Sequence, residues 1–285
     1  MSTPSEPILR FAPSPNGRLH LGHAYSALFT ARCAAELGGT FLLRIEDIDA
    51  ARCKPEFTDA IFSDLRWLGL TWPEPVWRQS ERLAVYESFA DRLRDMGLLY
   101  PCFCTRSEIA AGAPGTDPDG APLYPGTCRH LQPAKAEARL AAGESAQWRL
   151  RSDRAIADAG VLTYTVAQPT PLERPQIRYA RPALWGDVVI QRKDTPTSYH
   201  LGVVVDDAAQ VITHVTRGRD MEASTDVHVL LQFLLGLRSP IYTFHKLILD
   251  EAGNKLAKSK GSKTLADLRA EGWTAAEVRR ELGFG

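Results

Sequence analysis

The sequence predicts an α/β fold, a parallel sheet with crossover helices that is interrupted by an inserted subdomain. Short apolar strand-like runs alternate with longer helical stretches from Ile8 to Met96. A segment rich in cysteine, proline and glycine then breaks the alternation, and strand and helix patterns resume from Trp148. With 285 residues, 44% hydrophobic and 24% charged, the chain can bury a sizeable core, which excludes fibrous and disordered classes.

ILRFA, Ile8 to Ala12, reads as a short buried strand, and the alanine-rich run from Leu21 to Leu37 as a helix stopped by Gly38-Gly39. TFLLRIED from Thr40 supplies a second strand, with helices predicted over Pro55 to Leu68 and Ser80 to Met96. Between Gly97 and His130 the stretch AGAPGTDPDGAPLYPG marks an irregular excursion. WRLR and VLTYTV return to strand, Asp187 to Asp207 reads as two strands turning at Lys193-Asp194, and Val227 to Leu237 resumes helix. After Pro240 a hairpin is expected over YTFHKLILDEAGNK, and Thr274 to Glu277 is a capping-box pattern for a last helix. The domain boundaries that follow are 1–99 for the first half of a catalytic domain, 100–186 for the insert, 187–240 for the second half, and 241–285 for a lysine-bearing loop and short helical tail.

Lys plus Arg equals Asp plus Glu, 34 against 34, so any nucleic-acid contact must come from a local patch. The opening MSTPSEPILRF lacks a charged leader with an apolar core, and no apolar run approaches the ~18 residues of a membrane span. A soluble, cytoplasmic monomer with no membrane partner is therefore expected. Five cysteines, three of them between Cys102 and Cys128, fit a reducing compartment and a metal site better than a disulfide framework.

A strand, a glycine loop and a helix start suit an anion, because backbone N–H groups and the helix dipole attract it. Gly17 and Gly22 have P-loop spacing, yet His23-Ala24 stand where that motif needs Lys and then Ser or Thr. Gly261-Ser262-Lys263-Thr264 lacks the glycine directly before its lysine, and no G-x-G-x-x-G occurs. What remains is His20-Leu21-Gly22-His23, where two imidazoles and a bare helix start could grip a triphosphate. An isolated H-x-x-H is by default a pair of caps or surface groups.

Its neighbours change that default. PSPNGRLHLGHA, Pro13 to Ala24, resembles the HIGH motif of class I aminoacyl-tRNA synthetases, and RFAPSPNG with RIEDID narrows the likeness to the glutamyl and glutaminyl branch. Lys255-Leu256-Ala257-Lys258-Ser259 resembles the KMSKS signature, with Ala257 where a serine is usual. The resemblance implies a Rossmann-like class I catalytic fold and ATP-dependent activation of L-glutamate. It places His20, His23 and Lys258 in catalysis, and His20, Gly22, His23, Lys255 and Lys258 around ATP with its Mg²⁺. It makes Arg10, Phe11, Ala12, Pro13, Ser14, Glu46, Tyr199 and Arg217 the glutamate pocket, arginines meeting carboxylates and Glu46 the ammonium.

Cys102-x-Cys104 and Cys128 offer three thiolates in the insert, a partial set for structural Zn²⁺. Chemistry alone selects His130 as fourth ligand; the resemblance implies Tyr124 instead, through C-x-C…Y-x-x-x-C. Full glutamyl-tRNA synthetases continue into an anticodon-binding region after the lysine signature, whereas residues 260–285 suffice for two short helices, so no anticodon-binding domain is expected. The likeness is thus nearest to the short glutamyl-Q tRNA(Asp) synthetases, which implies activation of glutamate without tRNA and its transfer to queuosine in the anticodon loop of tRNA(Asp). Alternatives are a truncated glutamyl-tRNA synthetase charging an acceptor end, a HIGH-type nucleotidylyltransferase, and a retired paralogue without enzymatic activity.

Overall fold

The computed structural model describes residues 6–167, 174–249 and 263–285. Strand β1 (Ile8–Phe11) leads into helix α1 (Leu21–Glu36), then β2 (Thr40–Ile45), α2 (Pro55–Trp67), the short β3 (Trp77–Arg78) and α3 (Leu83–Asp95). Gly38 and Gly39 end α1 as expected: Gly38 has φ +63, and a Cβ on Gly39 would meet the carbonyl oxygen of Pro7 at 2.2 Å.

The insert is more regular than its composition predicts. It contains β4 (Leu99–Cys102), α4 (Arg106–Gly112), α5 (Pro133–Ala141), β5 (Gln147–Leu150) and α6 (Ser152–Ala159). A full capping box starts α4, with Thr105 and Glu108 each satisfying the other's backbone N–H, a local signal masked by the surrounding glycine and proline. The chain continues through β6 (Thr163–Val166), β7 (Gln176–Tyr179), β8 (Val189–Gln191), α7 (Tyr199–Ala209), β9 (His214–Gly218), α8 (Thr225–Leu235), β10 (Ile241–His245), α9 (Leu265–Ala270) and α10 (Ala275–Glu281).

Among the described residues the strands form two sheets. The larger has the order β3-β2-β1-β9-β10-β6-β7, parallel except for the antiparallel edge strand β7, and the smaller is the antiparallel β4-β5-β8. Sheet membership cuts across the expected boundaries: β6 and β7, inside 100–186, join the large sheet, while β8, inside 187–240, joins the small one.

One expectation is corrected. The second half of Asp187–Asp207 is helix, not strand: Ser198 caps α7 by accepting from the Leu201 N–H, and Leu201 to Asp207 are all buried. A helix buried on every side has no polar stripe, so its Val-Val-Val run imitates a strand. Ile241 to His245 forms an inner strand, parallel to β9 and β6, and the turn and return arm of the expected hairpin lie outside the described residues from Asp250 on. The two tail helices form as expected, and Leu265, Leu268, Val278 and Leu282 share one core with Leu28 of α1 and Leu65 of α2. No described helix is long and apolar enough to cross a membrane.

Candidate functional site

The carboxyl ends of β1, β2, β9 and β10 surround a cavity of about 880 Å³, where open parallel sheets place ligands. Arg10 to Ser14 leave the end of β1, Glu46 follows β2, Arg217 ends β9, and Tyr199 reaches in from the start of α7. His20, Gly22 and His23 close the wall at the start of α1. Every described residue predicted for glutamate or ATP therefore lines one cavity; Lys255 and Lys258 lie outside the described residues.

The two histidines turn out to be caps and cavity wall at once. His20 is the N-cap of α1, its Nδ1 accepting from the Gly22 N–H at 3.1 Å, while His23 Nδ1 accepts from the His20 N–H at 3.2 Å. With Nδ1 accepting on both, each neutral ring carries its proton on Nε2, a donor suited to phosphate oxygens. Gly22 suits the same geometry, since a Cβ there would stand 3.0 Å from Cε1 and 3.1 Å from Nδ1 of His20 and press on that ring.

Beneath the cavity floor lies a buried ionic network that sequence reasoning missed. Arg10 makes a two-pronged bond to Asp207, with Nε to Oδ1 at 2.9 Å and Nη2 to Oδ2 at 3.0 Å. Arg44, 0% exposed, reaches Glu46 at 3.0 Å, Asp207 at 2.9 Å and Asp206 at 3.8 Å. Tyr86, Gln79 and Arg82 also bond to Asp206. The charged residue inside TFLLRI and the Asp-Asp pair closing VVVDD were the visible signals, because charges inside apolar runs are buried only when paired. Burial raises the Glu46 carboxyl above its ordinary range although Arg44 and Arg10 pull the other way.

Arg217 is built differently. It is 8% exposed, yet no carboxylate lies within ion-pair distance among the described residues. Its Nη1 is 3.2 Å from His228 Nδ1, its Nη2 donates to Thr225 Oγ1 at 2.6 Å, the guanidinium sits 5.0 Å from the Tyr242 ring centre, and its buried Nε–H has no partner among the described residues. Arg52, Lys54 and Lys246, none of them predicted, add cationic wall.

In the insert the Sγ atoms of Cys102, Cys104 and Cys128 lie within 4.8 Å of one another. Tyr124 Oη is 3.9 Å from Cys104 Sγ and accepts from the Cys128 N–H at 2.7 Å. Tetrahedral Zn²⁺ with sulfur at 2.3 Å holds its thiolates about 3.8 Å apart, and the 3.6 Å between Cys104 and Cys128 meets that requirement. Burial raises the Cys102 thiol, but hydrogen bonds from Tyr124, Arg149 and Gln147 bring it down to about 7. Burial and the neighbouring thiols push Cys104 up to about 11, a repulsion that a bound cation would relieve. His130 is exposed and outside the cluster, so the residues present fit a metal held by three cysteines with Tyr124.

Residues 8–281 match the family model for the catalytic domain of class I tRNA synthetases (E and Q). A glutamyl-Q tRNA(Asp) synthetase of Rhodobacter capsulatus is 47% identical, the match covering 97% of this chain and 100% of that protein. A glutamate–tRNA ligase of Thermosynechococcus vestitus is 38% identical over 94% of this chain but 54% of its own length. The solved glutamate tRNA ligase of Elizabethkingia meningosepticum superposes with a TM-score of 0.74 at 26% identity; 95% of this chain spans 59% of that one.

Proposed function

The chain belongs to the class I tRNA synthetases of the glutamyl and glutaminyl type, a ligase family, and from that premise we propose that it activates L-glutamate with ATP and transfers it to queuosine in the anticodon loop of tRNA(Asp). The observation that carries the substrate reading is Arg217, a buried guanidinium on the cavity wall with no carboxylate within ion-pair distance among the described residues. A buried charge is costly unless paired. Arg10 and Arg44 meet that demand internally, whereas a glutamate carboxylate would meet it at Arg217. Glu46 would take the ammonium, with Arg10, Ser14 and Tyr199 completing the pocket.

In activation an oxygen of the α-carboxylate attacks the α-phosphorus of ATP, the bond to the leaving phosphate breaks, and pyrophosphate departs. Such a displacement is accelerated by positioning and positive charge rather than by a protein nucleophile. His20 and His23 would donate from Nε2 to the phosphates, with Lys255 and Lys258 neutralising the leaving group. Mg²⁺ bound with ATP would shield the same phosphate oxygens. In the second step an acceptor hydroxyl attacks the acyl carbon and AMP leaves. Zn²⁺ held by Cys102, Cys104, Tyr124 and Cys128 would be structural, tying the loop that carries Tyr124 to β4.

The queuosine acceptor is supported by the higher identity to the glutamyl-Q tRNA(Asp) synthetase of Rhodobacter capsulatus, 47% against 38% to the glutamate–tRNA ligase. Incubation with labelled glutamate, ATP and tRNA(Asp) with or without queuosine tests it. Label mapping to the anticodon loop, only when queuosine is present, is the expected result. Label at the acceptor end would establish a truncated glutamyl-tRNA synthetase in its place.

A further inference from the structure

Arg217 is held from behind by a chain of two histidines on different helices, His228 buried and His200 half-buried. His228 of α8 places Nδ1 3.2 Å from Arg217 Nη1 and Nε2 3.2 Å from Nδ1 of His200, on α7. Guanidinium N–H groups only donate, so His228 Nδ1 accepts. That puts its proton on Nε2, which donates to His200 Nδ1, and the tautomers of both rings follow. The Trp185 ring stands edge-on to His200 with centroids 5.6 Å apart, and the Tyr199 ring lies 5.5 Å from that of His228.

We propose that His228, its tautomer set by His200, is a positioning residue that fixes Arg217 through a neutral acceptor and leaves the guanidinium charge to the substrate's carboxylate. A carboxylate at position 228 would hold the same nitrogen but cancel the charge. An apolar residue would keep the charge but free the side chain to turn. The neutral imidazole does neither. Burial, with the charge of Arg217, brings His200 down to about 4 and keeps His228 well below the ordinary imidazole range, so neither ring competes as a cation. Thr225 holds the other terminal nitrogen with a second uncharged acceptor, consistent with the same logic.

The inference rests on glutamate binding at Arg217, and kinetics separate the two. Glutamate-dependent ATP–pyrophosphate exchange is run with and without tRNA on Arg217→Ala, His228→Leu and His228→Gln, each checked by thermal melting. His228→Leu is expected to raise the glutamate KM about tenfold, the scale of one hydrogen bond to a charged group, with kcat and the ATP KM within about twofold. His228→Gln, whose amide oxygen faces Arg217 while its amide N–H faces His200, should restore the glutamate KM. An unchanged glutamate KM in folded His228→Leu, or equal damage to kcat and the ATP KM, overturns the positioning role. If Arg217→Ala also leaves the glutamate KM unchanged, the pocket assignment fails instead. Should His228→Leu not fold, His200→Leu breaks the same chain one link away and is read by the same criteria.

Discussion

Replacing Asp207 with asparagine separates the ionic network under the cavity from everything above it. The carboxylate accepts two hydrogen bonds from Arg10, at 2.9 and 3.0 Å, and pairs with Arg44 at 2.9 Å, all buried. Arg44 would keep Glu46 and Asp206, but Arg10 has no second carboxylate among the described ion pairs. The amide could accept only through its oxygen and would turn N–H donors toward a guanidinium. Removing one partner of a buried pair costs about 3–5 kcal/mol. At about 2–4 °C per kcal/mol for a chain of this size, Tm should fall by roughly 6–20 °C near neutral pH. The loss also depends on pH with a definite sign. Burial opposes ionisation of Asp207, but Arg10 and Arg44 hold it below the ordinary carboxylate range. Its stabilisation is therefore complete above the unfolded value, about 3.9, and disappears as pH falls through the depressed folded value. Calorimetric melts of both proteins across that range should converge in acid. A drop of under about 2 °C at neutral pH, less than the equivalent of 1 kcal/mol, would refute the view that Arg10 depends on Asp207.

Glu46→Gln should raise the glutamate KM at least about tenfold, as expected for losing a charge-assisted bond to an ammonium, while the ATP KM stays put. Because the Glu46 carboxyl lies above its ordinary range, the wild-type glutamate KM should climb as pH falls toward that raised value, and the Glu46→Gln profile should lack this limb; superimposable profiles would contradict the assignment. Metal analysis should find zinc retained in His130→Ala and lost from Tyr124→Phe; the reverse pattern would return the fourth ligand to histidine. Gly22→Ala puts a methyl 3.0 Å from the His20 ring and should lower kcat about tenfold or more by displacing it, with glutamate affinity unaffected; full activity would remove His20 from the phosphate end.

Much of the cavity was readable because its residues sit in short local motifs at strand ends. RFAPS, HLGH and RIED each combine a strand terminus with a loop or cap, and the structure brings all three to one wall. What was hidden depends on distance or burial. Arg10 and Asp207 are 197 positions apart, and no local pattern announces their pairing. Helix α7 escaped because burial on all sides erased its period, and His228 inside VHVLLQF reads as an isolated polar residue until Arg217 and His200 stand beside it. The insert was legible as a metal-ligand pattern but not as a sheet, since β8, which completes it, arrives after two strands of the other sheet.

Leu19 and Leu265 are joined by a backbone hydrogen bond of 2.8 Å, and Thr264 bridges His20. Helix α9 is thus fastened to the segment that presents the first imidazole, and its leucines share the core of α1. Sub-global openings that detach α9 would loosen the His20 backbone at the same instant. Amide exchange at Leu265 then becomes a gauge of how often the phosphate end of the cavity loses its shape, although it is read hundreds of positions along the chain from that histidine. Heat, denaturant or a fused tag acting on α9 and α10 would register first as weaker ATP use, before any change at the glutamate end.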